Sequence, residues 1–419
     1  MSPSASGRLG AGRYLEEAGP AISPDVAISV HELTTVDGAR VTGVLRVPPG
    51  ATTVLTIMHP RQDVTHHPLV PLLVAEGHAV WTQGSRSPNN DLALLHEQAL
   101  LDLAAGMSFL REAGLKRIVM LGHSGGGTLA AFYVSQAVLA PAERLAATPS
   151  GRPVPLAEAL MPPPDGVVFL APHPGQGALL QRVIDPSVVD ELDALSVDES
   201  LDPFNPRNGF ADPGTSSTYS PEFVERYRAA QVARVRRIDE IARHHVEQAR
   251  AANLAYKKEE SAIDRRRALS PRLVIVHRTD ADLRNVDLAL DPNKRPYGSL
   301  FGRRPDLTNY GLVGFGRLST AEAWMSTWSG TTTNADFLKC APAVVMPSLL
   351  LEFTGDQASF PSDIAAMGRA LGGDDVTVEA VDGTHFGGPL EQGGTPGAVL
   401  AAERITRWLA RRFAPGAAA

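Results

Sequence analysis

Only one of the 419 residues is a cysteine. An intramolecular disulfide is thereby excluded, which fits a reducing compartment. The cysteine, Cys340, sits at the lip of the apolar run LKCAPAVVMPSLLLEF, where a small buried thiol is the ordinary reading. A basic excess is also missing. The formal net charge of −7 gives no electrostatic reason to expect a nucleic-acid partner. No apolar run approaches the roughly 18 residues that a membrane helix needs. The opening MSPSASGRLGAGRYLEEAGP lacks the apolar centre of a secretory signal. A cytoplasmic protein without membrane association is expected. Metal-ligand spacings such as H-E-x-x-H and C-x-x-C do not occur, and the pair His66-His67 alone cannot hold an ion. Neither a metal nor any other cofactor is expected.

What is present is a rhythm. Residues 1–25 read as a loose arm. Two alternating runs around Asp37-Gly38 signal a hairpin. From about residue 53 to 175 short apolar runs (TTVLTIMHP, HAVWTQGS, RIVMLGHS, DGVVFLAPHPG) alternate with helical patterns. That order predicts an α/β protein with a mostly parallel sheet flanked by helices. The rhythm stops at about 178 and resumes after 340 with LLLEFTGDQ, a helix, DVTVEAVDGTHFGG and a last amphipathic helix. A core over 26–178 and 340–419 is therefore expected, interrupted by an inserted, mainly helical unit over 179–339. Inside the insertion, Val224, Tyr227, Val232, Val235, Ile238 and Ile241 keep a helical stripe among Arg and Glu. The basic residues there alternate with Glu225, Asp239, Glu240 and Glu247, a mixed-charge face that suits solvent or a homo-oligomer contact better than nucleic acid.

The stretch RIVMLGHSGGGTLAAF, residues 117–132, supports two chemistries. Gly122-His123-Ser124-Gly125-Gly126 fits G-x-S-x-G, a turn that exposes a serine nucleophile. Gly125 to Ala130 fits G-x-G-x-x-A, a dinucleotide cradle, with Glu143 as its acidic partner. The second reading needs the turn at the start of a βαβ unit and Glu143 at the end of a strand. Neither holds. A serine hydroxyl needs a base beside it and an acid to orient that base, in the chain order Ser, acid, His. Asp356 ends the apolar run LLLEFTGDQ at the carboxyl end of its strand, where open α/β sheets place their sites. Of twelve histidines, only His385 follows it, in the loop after the next strand. Glu352 and Asp363 are rival acids, the first inside an apolar strand and the second several residues into a helix.

With these residues in place the chain resembles the α/β-hydrolase superfamily of serine hydrolases, across about 26–178 and 340–415. The resemblance implies Ser124 as nucleophile, Asp356 as acid, His385 as base, and an oxyanion hole with the Gly125 N–H as one donor. The second donor comes from the loop after the third strand. Many relatives have His-Gly there and this chain has His59-Pro60, so the donor falls to Arg61, with Gln62 as the second choice, since proline has no N–H. The insertion would then cap the carboxyl edge of the sheet. His123, Trp324 and Trp328 are candidate contacts for a small-molecule substrate. A small to medium carboxylic ester is the expected substrate. Thioester, amide, lactone or β-diketone-type C–C cleavage, acyl transfer, and a catalytically silent binding protein on the same fold stay open.

Overall fold

The alternating runs before residue 50 pair as a hairpin, β1 (Ala27–Thr34) and β2 (Arg40–Val47), about a turn at Thr35–Ala39. The chain is described by a computed structural model over residues 20–88 and 90–413. Most of the expected N-terminal arm lies outside the described residues. After the hairpin come β3 (Thr53–Met58), helix α1 (Leu69–Ala75), β4 (Ala79–Gln83), α2 (His96–Glu112), β5 (Arg117–His123), α3 (Gly125–Ala137), β6 (Gly166–Leu170) and α4 (Gln176–Val183). A long intervening segment holds α5 (Pro221–Glu259), α6 (Ala262–Leu269) and a two-stranded sheet of β7 (Leu273–Ile275) and β8 (Leu318–Thr320). The rhythm then resumes as β9 (Ser348–Phe353), α7 (Pro361–Ala370), β10 (Val376–Val381) and α8 (Gly397–Arg412).

Eight strands form one sheet in the order β1-β2-β4-β3-β5-β6-β9-β10. The pairs β1–β2 and β2–β4 are antiparallel, and every pair from β4 to β10 is parallel. Alternate residues of each central strand enter opposite cores, as the period of two requires. On β5, Ile118 and Met120 pack beneath α2, α3 and α7, whereas Val119 and Leu121 face α1 and α8. The crossovers therefore lay helices on both faces, and the loops at the carboxyl ends of β3, β5, β6, β9 and β10 gather on one edge.

The segment between α4 and β9 has its own buried cluster. Leu180 and Val183 of α4 meet Val235, Ile238 and Ala242 of α5, together with Trp324, Met325 and Trp328. The expected stripe on α5 is only partly the buried one. Tyr227, Val235 and Ile238 are buried, but Ile241 is 36% exposed. The α5 face also buries charge. Arg234 donates to Glu191 at 2.8 Å and to two carbonyls, and Asp239 accepts from Trp324 Nε1 at 2.8 Å. Hydrophobicity alone does not reveal such positions, because each needs a partner from elsewhere in the chain.

Candidate active site

Ser124 stands between β5 and α3 with φ 54° and ψ −123°, a conformation that costs a non-glycine residue about 1–3 kcal/mol. Its N–H is held by the Leu170 carbonyl at 3.0 Å, from the end of the neighbouring strand β6. The glycines around it are space requirements. A Cβ on Gly122 would lie 2.4 Å from the Gly126 carbonyl oxygen, and one on Gly126 would lie 2.7 Å from that of Met58. On Gly127 it would lie 2.7 Å from Pro172, so the glycine lets α3 approach the β6 loop. Glu143, the acid of the dinucleotide reading, is exposed in a 3₁₀ turn after α3.

Three separate loops bring Ser124, His385 and Asp356 together. His385 Nε2 lies 2.9 Å from Ser124 Oγ, and its Nδ1 lies 2.9 and 2.8 Å from the two Asp356 oxygens. Nδ1–H thus donates to the carboxylate, which leaves Nε2 to accept the serine proton. Asp356 is fully buried. Its Oδ1 also accepts the N–H groups of Ala358 at 2.7 Å and Ser359 at 3.0 Å, so the carboxylate both shapes its own turn and holds the imidazole. The rival Asp363 is engaged elsewhere, with Arg284 at 3.1 Å and Arg182 at 3.2 Å. Glu352 stays half-buried in β9, its carboxyl pushed up by burial. Cys340 is buried and its thiol raised to about 11 by that burial, which keeps it protonated and unreactive.

Gly125 is the first residue of α3, so its N–H has no intrahelical acceptor and points where the helix dipole is positive. Arg61 is placed differently from the sequence-based expectation. Its N–H donates to His59 Nδ1 at 3.1 Å, and the Gln62 N–H donates to the same nitrogen at 2.9 Å. An imidazole acceptor two or three residues back takes both candidate backbone donors. The Arg61 guanidinium is clamped on Asp91 at 2.6 and 2.5 Å and lies 4.8 Å over the Trp328 ring.

Three further expectations need correction. His123 turns away from the cavity into a buried chain in which His67 Nε2–H donates to its Nδ1 at 2.9 Å. Its own Nε2–H donates to the His385 carbonyl at 2.8 Å. Burial pushes His67 down to about 3 and holds His123 well below the usual histidine range, so both rings are neutral. Trp324 and Trp328 are fully buried in the apolar cluster of the intervening segment and do not line the cavity beside Ser124. The cavity beside Ser124, about 180 Å³, is walled by Leu179, Leu300, Phe301, Val313, Phe315 and Phe386, with His59 and His173 at its polar side. Residues 300–315 are irregular apart from one short helix, Pro305–Thr308, so no periodicity in the sequence marks them as walls. His173 and Gln176 carry a visible signal: the His-Pro pair at 59–60 recurs at 173–174, after the strands on either side of β5.

No protein-family description matches the chain, and no curated protein matches it. Solved structures similar to it include the α/β hydrolase GrgF from Penicillium sp. sh18, at 14% identity and TM-score 0.49, covering 93% of this chain and 100% of that one. The esterase domain of a Rhodothermus marinus protein is similar at 11% identity and TM-score 0.43, over 92% of this chain and 98% of that one. A Pyrococcus furiosus esterase is similar at 11% identity and TM-score 0.43, over 94% and 97%. Among the described residues, no helix is long and apolar enough to cross a membrane.

Proposed function

We propose, from the premise that this chain has the α/β-hydrolase fold, that it is a serine hydrolase cleaving a carboxylic ester of a small to medium organic substrate. The observation that carries the reading is the continuous path Ser124 Oγ, His385 Nε2, His385 Nδ1, Asp356, with every link between 2.8 and 2.9 Å. Ser124 Oγ attacks the ester carbonyl carbon as its proton passes to His385 Nε2. Asp356 stabilises the imidazolium, and the Gly125 N–H faces the oxygen that gains charge. His385 then gives the proton to the leaving alkoxide. Water, deprotonated by the same ring, attacks the acyl-enzyme and frees the acid. No cofactor takes part.

The walls of the cavity support the substrate class. Apart from Ser124, His385, Gln62 and the neutral His59 and His173, the cavity offers mainly apolar and aromatic surface, and the one cation among its described lining residues, Arg61, is neutralised by Asp91. A small uncharged acyl group suits that lining. The unit over 179–339 acts as the cap, contributing Leu300, Phe301, Val313 and Phe315 as a lid that excludes water. The test is turnover of p-nitrophenyl acetate, butyrate and octanoate by the wild type and Ser124→Ala. The reading expects Ser124-dependent hydrolysis that favours the short chains. Absence of Ser124-dependent turnover on every ester tried rejects it.

A further inference from the structure

The loop after β3 presents a problem that the structure resolves by an unusual route. Pro60 has no N–H, and the N–H groups of Arg61 and Gln62 are both spent on His59 Nδ1. That arrangement fixes the tautomer. An Nδ1 that accepts two N–H bonds carries no proton, and burial with the Arg61 cation nearby keeps the ring neutral. The one proton of the imidazole is therefore on Nε2, as a donor.

Gly125 shows where that donor points. A Cβ built on Gly125 would lie 2.9 Å from His59 Nε2 and 2.2 Å from Gln176 Nε2. Two side-chain nitrogens, one from the loop after β3 and one from the first residue of α4, thus converge on Gly125, the residue that follows Ser124. Gln176 is 1% exposed, and its amide nitrogen has no hydrogen-bond partner among the described residues. Its Oε1 lies 3.1 Å from His96 Nε2. With Oε1 accepting the His96 Nε2–H, the NH₂ end is turned toward Gly125. This buried NH₂ group lies beside Gly125, the residue that follows Ser124, with donor capacity left for an oxygen.

We propose that the oxyanion hole is completed by side chains, the Nε2–H of His59 and the amide N–H of Gln176, which join the backbone N–H of Gly125. This rests on the serine-hydrolase reading. The backbone donors of the β3 loop are relayed instead of lost: Arg61 and Gln62 orient and polarise the imidazole, and its far nitrogen meets the oxygen. His173 repeats the device, accepting the Gly175 N–H on Nδ1 at 3.1 Å, which turns a second neutral Nε2–H to the cavity side.

The test uses the full chain with p-nitrophenyl acetate and three variants. Gln176→Met keeps the shape and removes the donor. Gln176→Glu puts an anion at the same place. In His59→Asn the shorter carboxamide can still accept the loop N–H groups but cannot reach Gly125. Each is expected to lower kcat by about 10²–10³-fold with KM within a few-fold and an unchanged melting temperature, Gln176→Glu falling furthest. If Gln176→Met and His59→Asn keep kcat within threefold while Ser124→Ala is inactive, the side-chain donors are rejected and the hydrolase reading stands. Equal losses in Gln176→Met and Gln176→Glu, tracking a collapsed melting temperature, also overturn the proposal by marking the residue as structural. If wild type shows no Ser124-dependent turnover, the underlying reading fails and the proposal with it.

Discussion

His123 donates its Nε2–H to the backbone carbonyl of His385 at 2.8 Å, and the two rings lie 5.3 Å apart. His123, the residue before Ser124, therefore anchors the loop that carries His385. Replacing His123 by Ala removes a buried donor from that carbonyl, which costs about 1–3 kcal/mol. The expected outcome is a lower urea midpoint and a lower kcat, with KM little changed. A His123→Ala protein with wild-type stability and kcat contradicts this role.

The strain at Ser124 predicts a difference between two inactive variants. Ser124→Ala and Ser124→Gly both lose the hydroxyl, but only glycine relieves φ 54°. The strain is about 1–3 kcal/mol, offset in part by the backbone freedom that glycine regains on unfolding. Ser124→Gly should be the more stable of the two by about 1 kcal/mol in urea denaturation. The reverse order would show that the elbow is not strained.

How much of this was legible in sequence follows from what each residue depends on. The elbow is local: one strand, one turn and one helix within RIVMLGHSGGGTLAAF, so period and glycine spacing suffice. Asp356 and His385 could be placed because chain order and strand ends fix them once the serine is chosen. His123 could not, since its direction is decided by His67, 56 residues earlier and on another loop. Arg61 was misplaced for a related reason. A missing proline N–H says which backbone donors remain, but not that an imidazole will take them. Trp324 and Trp328 illustrate the opposite error, in which aromatic surface was assigned to a pocket when a buried cluster satisfied it.

The acid assignment separates Asp356 from Asp363. Asp356→Asn should cut kcat by about 10⁴-fold while the fold survives, because the imidazole loses its orienting anion. Asp363→Asn weakens the buried contacts to Arg284 and Arg182, so it should lower stability and leave the chemistry of folded protein intact. Circular dichroism melts beside initial rates distinguish them. If Asp363→Asn abolishes turnover in a protein that melts normally, the assignment is wrong.

Buried neutral histidines set the acid limit of stability. Burial lowers His67 and His173 to about 3 and His96 to about 4. In the unfolded chain each takes up a proton near its ordinary value of about 6.5. The unfolded state therefore binds more protons as pH falls below 6.5, and stability declines from there toward pH 3–4, by about 1.4 kcal/mol per pH unit for each ring. Above pH 7 the contribution is fully present. Urea midpoints at pH 7, 6 and 5 should fall progressively. A flat profile across that window would show that these rings charge in the native state.

The central claim is that Ser124 is a nucleophile activated by His385. The most direct measurement is reaction of the intact protein with a fluorophosphonate, followed by mass mapping of the adduct. The account predicts a single adduct on the peptide carrying Ser124, absent in Ser124→Ala and formed far more slowly in His385→Ala. A folded wild-type protein that forms no adduct, or one labelled equally in Ser124→Ala, would contradict it.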